Sequence, residues 1–533
     1  YCKTNISLLS FRLTNKQLML NSLVLLAIAA VIGSVSLTYP FGRDQGIYAY
    51  AGKLLLEGKM NYKEVFDLKP PGIHFFFSFI QLISGESMFN ARVFDILWQF
   101  ITAVIVMIIS SRLTRSIYLP ILAAFLYIFL YYRLDYWHTL QADGALNLFF
   151  ALTVLFTISS FYSHSFLKIF AAGLVFGIAL LFKYTIISFL PLLLICFLLS
   201  KTELNSLRIK NTIVFLAGLV FILISVVLLY QFTGALPEII NVQFVQTPLY
   251  TSIAYETESG GYIFSQLLKL FVYSVYAPLI WFTAGAMFLL ARAKKLDFPS
   301  LVVFAWAASS LFSLIIQWKF YYYHFLVIIA PLAVASVYFI ALLIDKLPEK
   351  GKNIIKWVFV VFFIAFTGYA FKPYLTSYPV LLSVISHERT MKQAYEYNGF
   401  TSDSVFMIAK TLRAVEKVEK ETNITDNIFV WGFDPLVYYL SGRNCTSRFI
   451  YNFPLLWKGE SSALKSEFMS RINANPPKMI LVAKNDPLQF ISGYDEDSKK
   501  LLDRFTEFKS VIDSKYAFET TIDDFDYYKL RNW

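Results

Sequence analysis

Charge is scarce in this chain: 16% of its 533 residues are Asp, Glu, Lys or Arg, where a soluble protein carries roughly a quarter. Cysteine is scarcer still, with three residues, Cys2, Cys196 and Cys445. In the topology derived below they fall on the inner side, in a helix and on the outer side, so no two share a compartment and a disulfide framework is excluded. Internal repeats, low-complexity tracts and lipidation motifs are missing as well. So is any basic patch: the net charge of +11 is scattered over short loops, which excludes nucleic acid as a partner. The stretch from Phe232 to Gly261 lacks Lys and Arg altogether and carries Glu238, Glu256 and Glu258.

What is abundant is apolar and aromatic. Hydrophobic residues make up 57% of the chain, with 53 Phe and 34 Tyr. Several apolar runs reach the roughly 20 residues that span a bilayer, so the chain is a polytopic α-helical membrane protein. About eleven spans are expected, at 18–39, 89–111, 117–132, 141–162, 166–182, 184–200, 211–231, 264–291, 299–317, 323–345 and 354–372. The sequence begins at Tyr1 rather than Met, so residues are expected to precede it. The run Leu18–Tyr39 is too long for a signal-peptide core and has no small-residue cleavage pattern behind it, and reads as a retained first helix. The Phe-rich segment Ile73–Ile83 is too short to cross and is expected along the outer interface.

Basic residues orient the bundle. With the N-terminus inside, the inner loops carry Arg112, Arg115, Lys168, Lys201, Arg208, Lys210, Arg292, Lys294, Lys295, Lys346, Lys350, Lys352 and Lys356. An odd number of spans then puts the C-terminus outside. The expected organisation is a membrane domain over 1–372, with an outer loop at 40–88, followed by a small α/β extracytoplasmic domain over 373–533. In that domain Asn427–Phe433 and Lys478–Lys484 read as buried strands, with helical stretches around Asp403–Glu421 and Asp497–Phe508.

Polar groups at a membrane boundary are informative, because holding charge there is costly unless it is used or snorkels into water. They collect on the expected outer face. Asp44, Asp67, Lys69 and His74 follow the first helix; Arg133, Asp135, His138 and Asp143 lie between the third and fourth. Lys183 and Tyr184 sit at another helix end, and Lys319, Tyr321, Tyr322, Tyr323 and His324 open the tenth helix. A transporter is expected instead to place ionisable groups near the midplane, on broken helices in two repeats. The helix centres here read as nearly charge-free, which favours an enzyme taking a lipid-borne substrate.

In "DLKPPG" (Asp67–Gly72) two prolines fix φ and remove two backbone donors, so Lys69 is presented on a stiff turn. A lysine at headgroup level is a partner for phosphate, or a snorkelling residue on lipid headgroups. Asp44 is either an N-cap of the helix "QGIYAYAGKLLLEG" or a catalytic carboxylate beside Lys69. Asp143 likewise reads as an N-cap or a site residue. Asp135 and His138 are an i, i+3 pair able to share a metal or to make hydrogen bonds. "VWGFDPLVYY" (Val430–Tyr439) reads as a core strand and turn or as an acceptor contact.

The Asp after the first helix, then "YAYAGKLLLEGKMNYKEVFDLKPPGIHFF" and "GESMFNARVFDIL", resemble GT-C-type membrane glycosyltransferases of family 39 and its relatives. These include protein O-mannosyltransferases and the bacterial transferase that adds aminoarabinose to lipid A. "YYYHFLVIIAPLA" resembles the family's aromatic-basic entry to a late helix, and "VWGFDPLVYYLSGRNCTSRF" resembles the outer domain of bacterial members. One departure stands out: the family often has Asp-Glu where this chain has Asp44-Gln45.

The resemblance implies transfer of a sugar from a polyprenyl-phosphate donor to a glycan, lipid or protein acceptor at the outer face of the cytoplasmic membrane. It implies Asp44 as the base, Lys69 on the donor phosphate with His324 and Tyr322 adding donors, and Asp143 orienting acceptor or sugar. Asp67 and Lys183 join as substrate-binding candidates, Lys183 and Arg133 being phosphate ligands or interfacial anchors. No strong metal site is visible, but some relatives use a divalent ion. A polymerase or ligase using a lipid-linked oligosaccharide would share the same face; a lipid-linked sugar transporter or scramblase is the alternative class.

Overall fold

The computed structural model describes residues 13–199, 205–257, 260–398, 406–457 and 461–531. Cys2, Lys201, Glu258 and the start of the helix expected from Asp403 lie outside the described residues. Cys196 and Cys445 are free thiols.

Two compact units form, and neither is continuous in sequence. The first gathers residues 1–37, 92–226 and 261–381; the second gathers 38–91, 227–260 and 382–533. The loop after the first helix and the Lys/Arg-free segment thus belong with the C-terminal residues, rather than with the helices that flank them.

The first unit is a helical bundle, and the chain is a polytopic membrane protein. Among the described residues seven helices are long and apolar enough to cross: Asn15–Thr38, Met88–Leu113, Ala142–Ser163, Arg208–Phe232, Phe298–Ile315, Tyr322–Lys346 and Glu349–Ala370. The span expected at 264–291 is a pair, Gly260–Tyr273 and Ala277–Arg292, bent by 74° at its break. Those expected at 117–132, 166–182 and 184–200 form the shorter helices Tyr118–Tyr132, Phe166–Leu180 and Tyr184–Leu199. At about 1.5 Å per residue, these fall short of the roughly 30 Å hydrocarbon thickness.

Leu326–Lys346 runs through the middle of the unit, with Leu326–Val337 almost wholly buried, and packs on Tyr118–Tyr132, Ala277–Arg292 and Phe298–Ile315. The spans Arg208–Phe232 and Glu349–Ala370 instead expose rows of Leu, Ile, Val and Phe, as a lipid-facing surface requires. Gly173 and Gly218 bring two helices into backbone contact. A Cβ on Gly173 would lie 2.0 Å from the carbonyl oxygen of Phe215, and one on Gly218 2.3 Å from that of Phe170. In lipid such small residues let backbones approach where no hydrophobic force drives helices together.

The second unit holds a five-stranded mixed sheet in the order β2-β1-β3-β5-β4: β1 (Asn427–Trp431), β2 (Asn444–Cys445), β3 (Met479–Ala483), β4 (Tyr516–Ile522) and β5 (Phe525–Leu530). The first three are parallel, and the β4–β5 hairpin closes the sheet antiparallel. Phe429 and Trp431 on β1 pack against Phe468 and Phe508 of two covering helices. Helices Arg43–Leu56 and Gly72–Ser84 belong to this unit and pack on each other. Gly52 permits it, since a Cβ there would meet the Ser78 nitrogen at 2.7 Å. Gly72–Ser84 exposes Phe79, Leu82 and Ile83, the pattern expected of an interfacial helix.

Candidate functional site

In the second unit the "DLKPPG" turn is bolted down through its backbone. Tyr62 donates its hydroxyl to the Lys69 carbonyl at 2.7 Å, and Gln243 donates to the same oxygen at 3.2 Å. The Leu68 carbonyl accepts from Gln243 and Thr247, each at 3.4 Å. Pro70 and Pro71 donate nothing, and helix Gly72–Ser84 starts directly behind Pro71. These bonds hold Lys69 on a rigid, half-buried turn.

Asp67 and His74 are both buried, and the Asp67 carboxylate meets His74 Nε2 at 2.7 Å. Asn61 meets His74 Nδ1 at 2.7 Å, and Tyr230 donates to the Asn61 oxygen at 2.5 Å. Because the Asn61 oxygen accepts from Tyr230, its amide must donate to Nδ1, which assigns the imidazole proton to Nε2 and aims it at Asp67. Asp67 thus anchors the turn through a four-residue relay.

Asp44 is not a helix cap. Helix Arg43–Leu56 is capped by Gly42, and the side chain of Gln45 turns back to accept the Gly42 amide at 3.0 Å. Asp44 sits one residue earlier in the same first turn, half-buried, where the positive helix end favours a carboxylate. Gln45 therefore has a capping duty of its own in place of the family's second acid. Tyr451, missed in the sequence, faces this region. Its hydroxyl is pushed well up by burial, by Asp67 and Tyr250, and by Asp44, so it stays a protonated donor at neutral pH. Its ring lies 6.2 Å from that of Phe66, the residue just before the motif.

The first unit carries its own polar set. Asp143 is not a cap either: helix Ala142–Ser163 is capped by Gln141, and Asp143 is buried in an ion pair with Lys183. Lys183 is likewise buried, not an interfacial anchor. The loop before Asp143 is held by residues near the start of the span Met88–Leu113. Arg92 donates to Thr139 Oγ1 and to the Tyr136 carbonyl, both at 3.0 Å. Asp95 accepts from Tyr131 at 3.0 Å, and Tyr131 in turn accepts the Leu140 amide at 3.0 Å. The helix ends were expected to carry the charge, yet Arg92 and Asp95 lie inside a span; their i, i+3 opposite charges in "NARVFDIL" were the signal. Lys183→Ala would strand a buried carboxylate, a loss of about 3–5 kcal/mol. Melting of the purified protein in detergent should fall accordingly, and the double change Asp143→Asn with Lys183→Met should restore most of it. An unchanged melt for Lys183→Ala would deny the pair.

Beside this loop His138 lies 5.3 Å from the Tyr322 ring and 6.2 Å from the Tyr323 ring. Tyr323 makes an edge contact with His324 at 4.5 Å. His324 is buried, while Tyr322 is 66% exposed. Burial lowers the His138 pKa against the pull of Asp135, which stands 3.9 Å away. The Arg133 Nε and His138 Nδ1 are buried without hydrogen-bond partners, so the cluster has donor and acceptor capacity to spare. Among the described residues no three His, Cys, Asp or Glu side chains converge, and Asp135–His138 stands as a pair.

Residues 68–230 match the family model of dolichyl-phosphate-mannose-protein mannosyltransferase, a stretch that includes Lys69, Asp143 and Lys183 and begins after Asp44. No curated protein matches the chain. Among solved structures the chain is similar to ArnT from Cupriavidus metallidurans bound to undecaprenyl phosphate. The likeness has 13% sequence identity and a TM-score of 0.57, covering 95% of this chain and 97% of that one. The fold is therefore the GT-C type that the sequence resembles.

Proposed function

We propose that this chain is a membrane glycosyltransferase that moves a sugar from a polyprenyl-phosphate donor to an acceptor hydroxyl or phosphate on a glycan, lipid or protein. The observation that carries the reading is that one unit holds both a helix-start carboxylate, Asp44, and Lys69 on an immobilised turn. Both belong to the segment whose sequence resembles the family. The family match over 68–230 and the GT-C fold support it.

The chemistry needs few parts. The acceptor oxygen attacks the anomeric carbon, its proton passes to Asp44 as general base, and the bond from that carbon to the donor phosphate breaks. A phosphate monoester has a second pKa near 6, so it departs without the general acid that an alkoxide needs. Lys69 offsets the charge that grows on the leaving phosphate. Asp67 acts on the shape of the turn through His74. In the first unit, His324 and Tyr322 are candidate phosphate donors, and the Asp143–Lys183 pair is a candidate for orienting a sugar or acceptor hydroxyl. Purified protein in liposomes with polyprenyl-phosphate sugar should release free polyprenyl phosphate in step with glycosylated acceptor; donor recovered intact would refute the reading.

The reading also commits to a side. The active site and the sheet-bearing unit lie on the extracytoplasmic face of the inner membrane, because Lys and Arg gather in the loops assigned to the inner face and are missing from 232–261. Reporter fusions after Lys295 and after Phe371 should report opposite faces; both on one face would overturn the orientation.

A further inference from the structure

The mechanism above leaves Arg43 unused, although it is the residue next to Asp44. Its side chain is buried, which a guanidinium tolerates only when its charge is answered. Its guanidinium carbon lies 5.2 Å from the ring centroid of Phe406 and 5.2 Å from that of Phe433. Both rings belong to the sheet-bearing part of the unit, Phe433 directly after β1. Arg43 also lines a small polar cavity together with Asp434 and Asp486.

The two carboxylates differ. Asp486 is satisfied by Ser498, whose amide and hydroxyl each donate at 2.7 Å. Asp434 accepts one bond from the Thr411 hydroxyl at 2.6 Å, while its other oxygen is buried with no hydrogen-bond partner. Lys410, Lys484 and Asp524 line the same cavity, but they are engaged elsewhere: Lys410 pairs with Asp524, and Lys484 with Asp526 at 3.2 Å. Arg43 is thus the cation in the cavity that these pairings leave to answer Asp434 and Asp486. A planar guanidinium suits such a place, since it stacks on aromatic faces while its charge meets carboxylates.

We infer that Arg43 is a positioning residue for the transfer reaction. The rings of Phe406 and Phe433 and the carboxylates of Asp434 and Asp486 hold it, and through the first turn of helix Arg43–Leu56 they set where the Asp44 carboxylate stands. The C-terminal α/β fold is then part of the catalytic apparatus and not an appendage. A second helix contact has the same effect: Gly46 lets Leu436, at the start of the helix Leu436–Ser441 that follows β1, approach, a Cβ on Gly46 lying 3.0 Å from the Leu436 nitrogen.

The grip carries a pH signature. Burial, with Asp486 adding to it, raises Asp434 to about 6 against the Thr411 hydrogen bond and the Arg43 charge. Above that pH the Asp434 carboxylate is charged and faces Arg43. Below it Asp434 takes up a proton, that charge is lost, and the grip loosens. Turnover should therefore carry an acid-side inflection near pH 6.

The inference rests on Asp44 being the base, and the test separates the two. Arg43→Lys keeps the charge but loses the planar stacking. It should lower kcat about tenfold with KM for the donor unchanged, and should speed amide hydrogen exchange in the peptide spanning residues 42–50 while β1 and β3 exchange as in the parent. Asp434→Asn should abolish the inflection near pH 6 and hold turnover at the level the parent shows below it. Faster exchange at 42–50 together with both kinetic changes supports the positioning role. Parental exchange, parental kcat or a retained inflection overturns it. If Asp44→Asn proves fully active, the base assignment fails, and the exchange measurement still reports whether Arg43 holds the turn.

Discussion

Asp44→Asn is expected to lower turnover by roughly two to four orders of magnitude, the usual contribution of a general base, with folding and donor binding intact. The amide keeps the size of the carboxylate and sits where no capping bond depends on it, because Gly42 and Gln45 close that end of the helix. The lost interaction with the helix dipole costs about 0.3–1 kcal/mol. Single-turnover transfer measured with saturating polyprenyl-phosphate sugar checks it. A variant that transfers at close to the parental rate would remove Asp44 from the chemistry and move attention to Asp143. Gln45→Ala should be far milder in rate, since its oxygen serves the backbone.

Lys69→Ala is expected to weaken donor binding by roughly 10- to 150-fold, the equivalent of one charge-assisted hydrogen bond of about 1.5–3 kcal/mol. The turn should survive, because Tyr62 and Gln243 hold it through the Lys69 carbonyl, which alanine retains. Equilibrium binding of a polyprenyl-phosphate sugar to the detergent-purified protein is the measurement, with a thermal melt as the control for folding. Parental affinity would cancel the phosphate assignment. His324→Ala should shift affinity in the same direction by less.

The long apolar spans and the buried strands at Asn427 and Met479 were legible because each is a local pattern with a single physical reading. The apolar runs expected as spans at 117–132 and 166–182 form the shorter helices Tyr118–Tyr132 and Phe166–Leu180: apolar composition marks what avoids water, whether it faces lipid or protein. The β4–β5 hairpin, from Tyr516 to Leu530, escaped notice although aromatic and β-branched residues recur along it on either side of an Asp-Asp turn. Site residues were legible by type and not by partner. Lys183 lies 40 positions from Asp143, and Tyr230 lies 169 from Asn61; nothing local encodes such pairings. The caps show the same limit, since Asp44 and Asp143 look like caps by residue type, yet each stands two places after the residue that caps its helix.

Native mass spectrometry of the full chain, purified in mild detergent from its own membranes, tests the central claim most directly. The account predicts that Asp44→Asn carries an uncleaved polyprenyl-phosphate sugar, because it binds the donor and cannot spend it, while the parent carries mainly polyprenyl phosphate. Absence of any polyprenyl lipid from both proteins, or the same species at the same ratio on both, would contradict it.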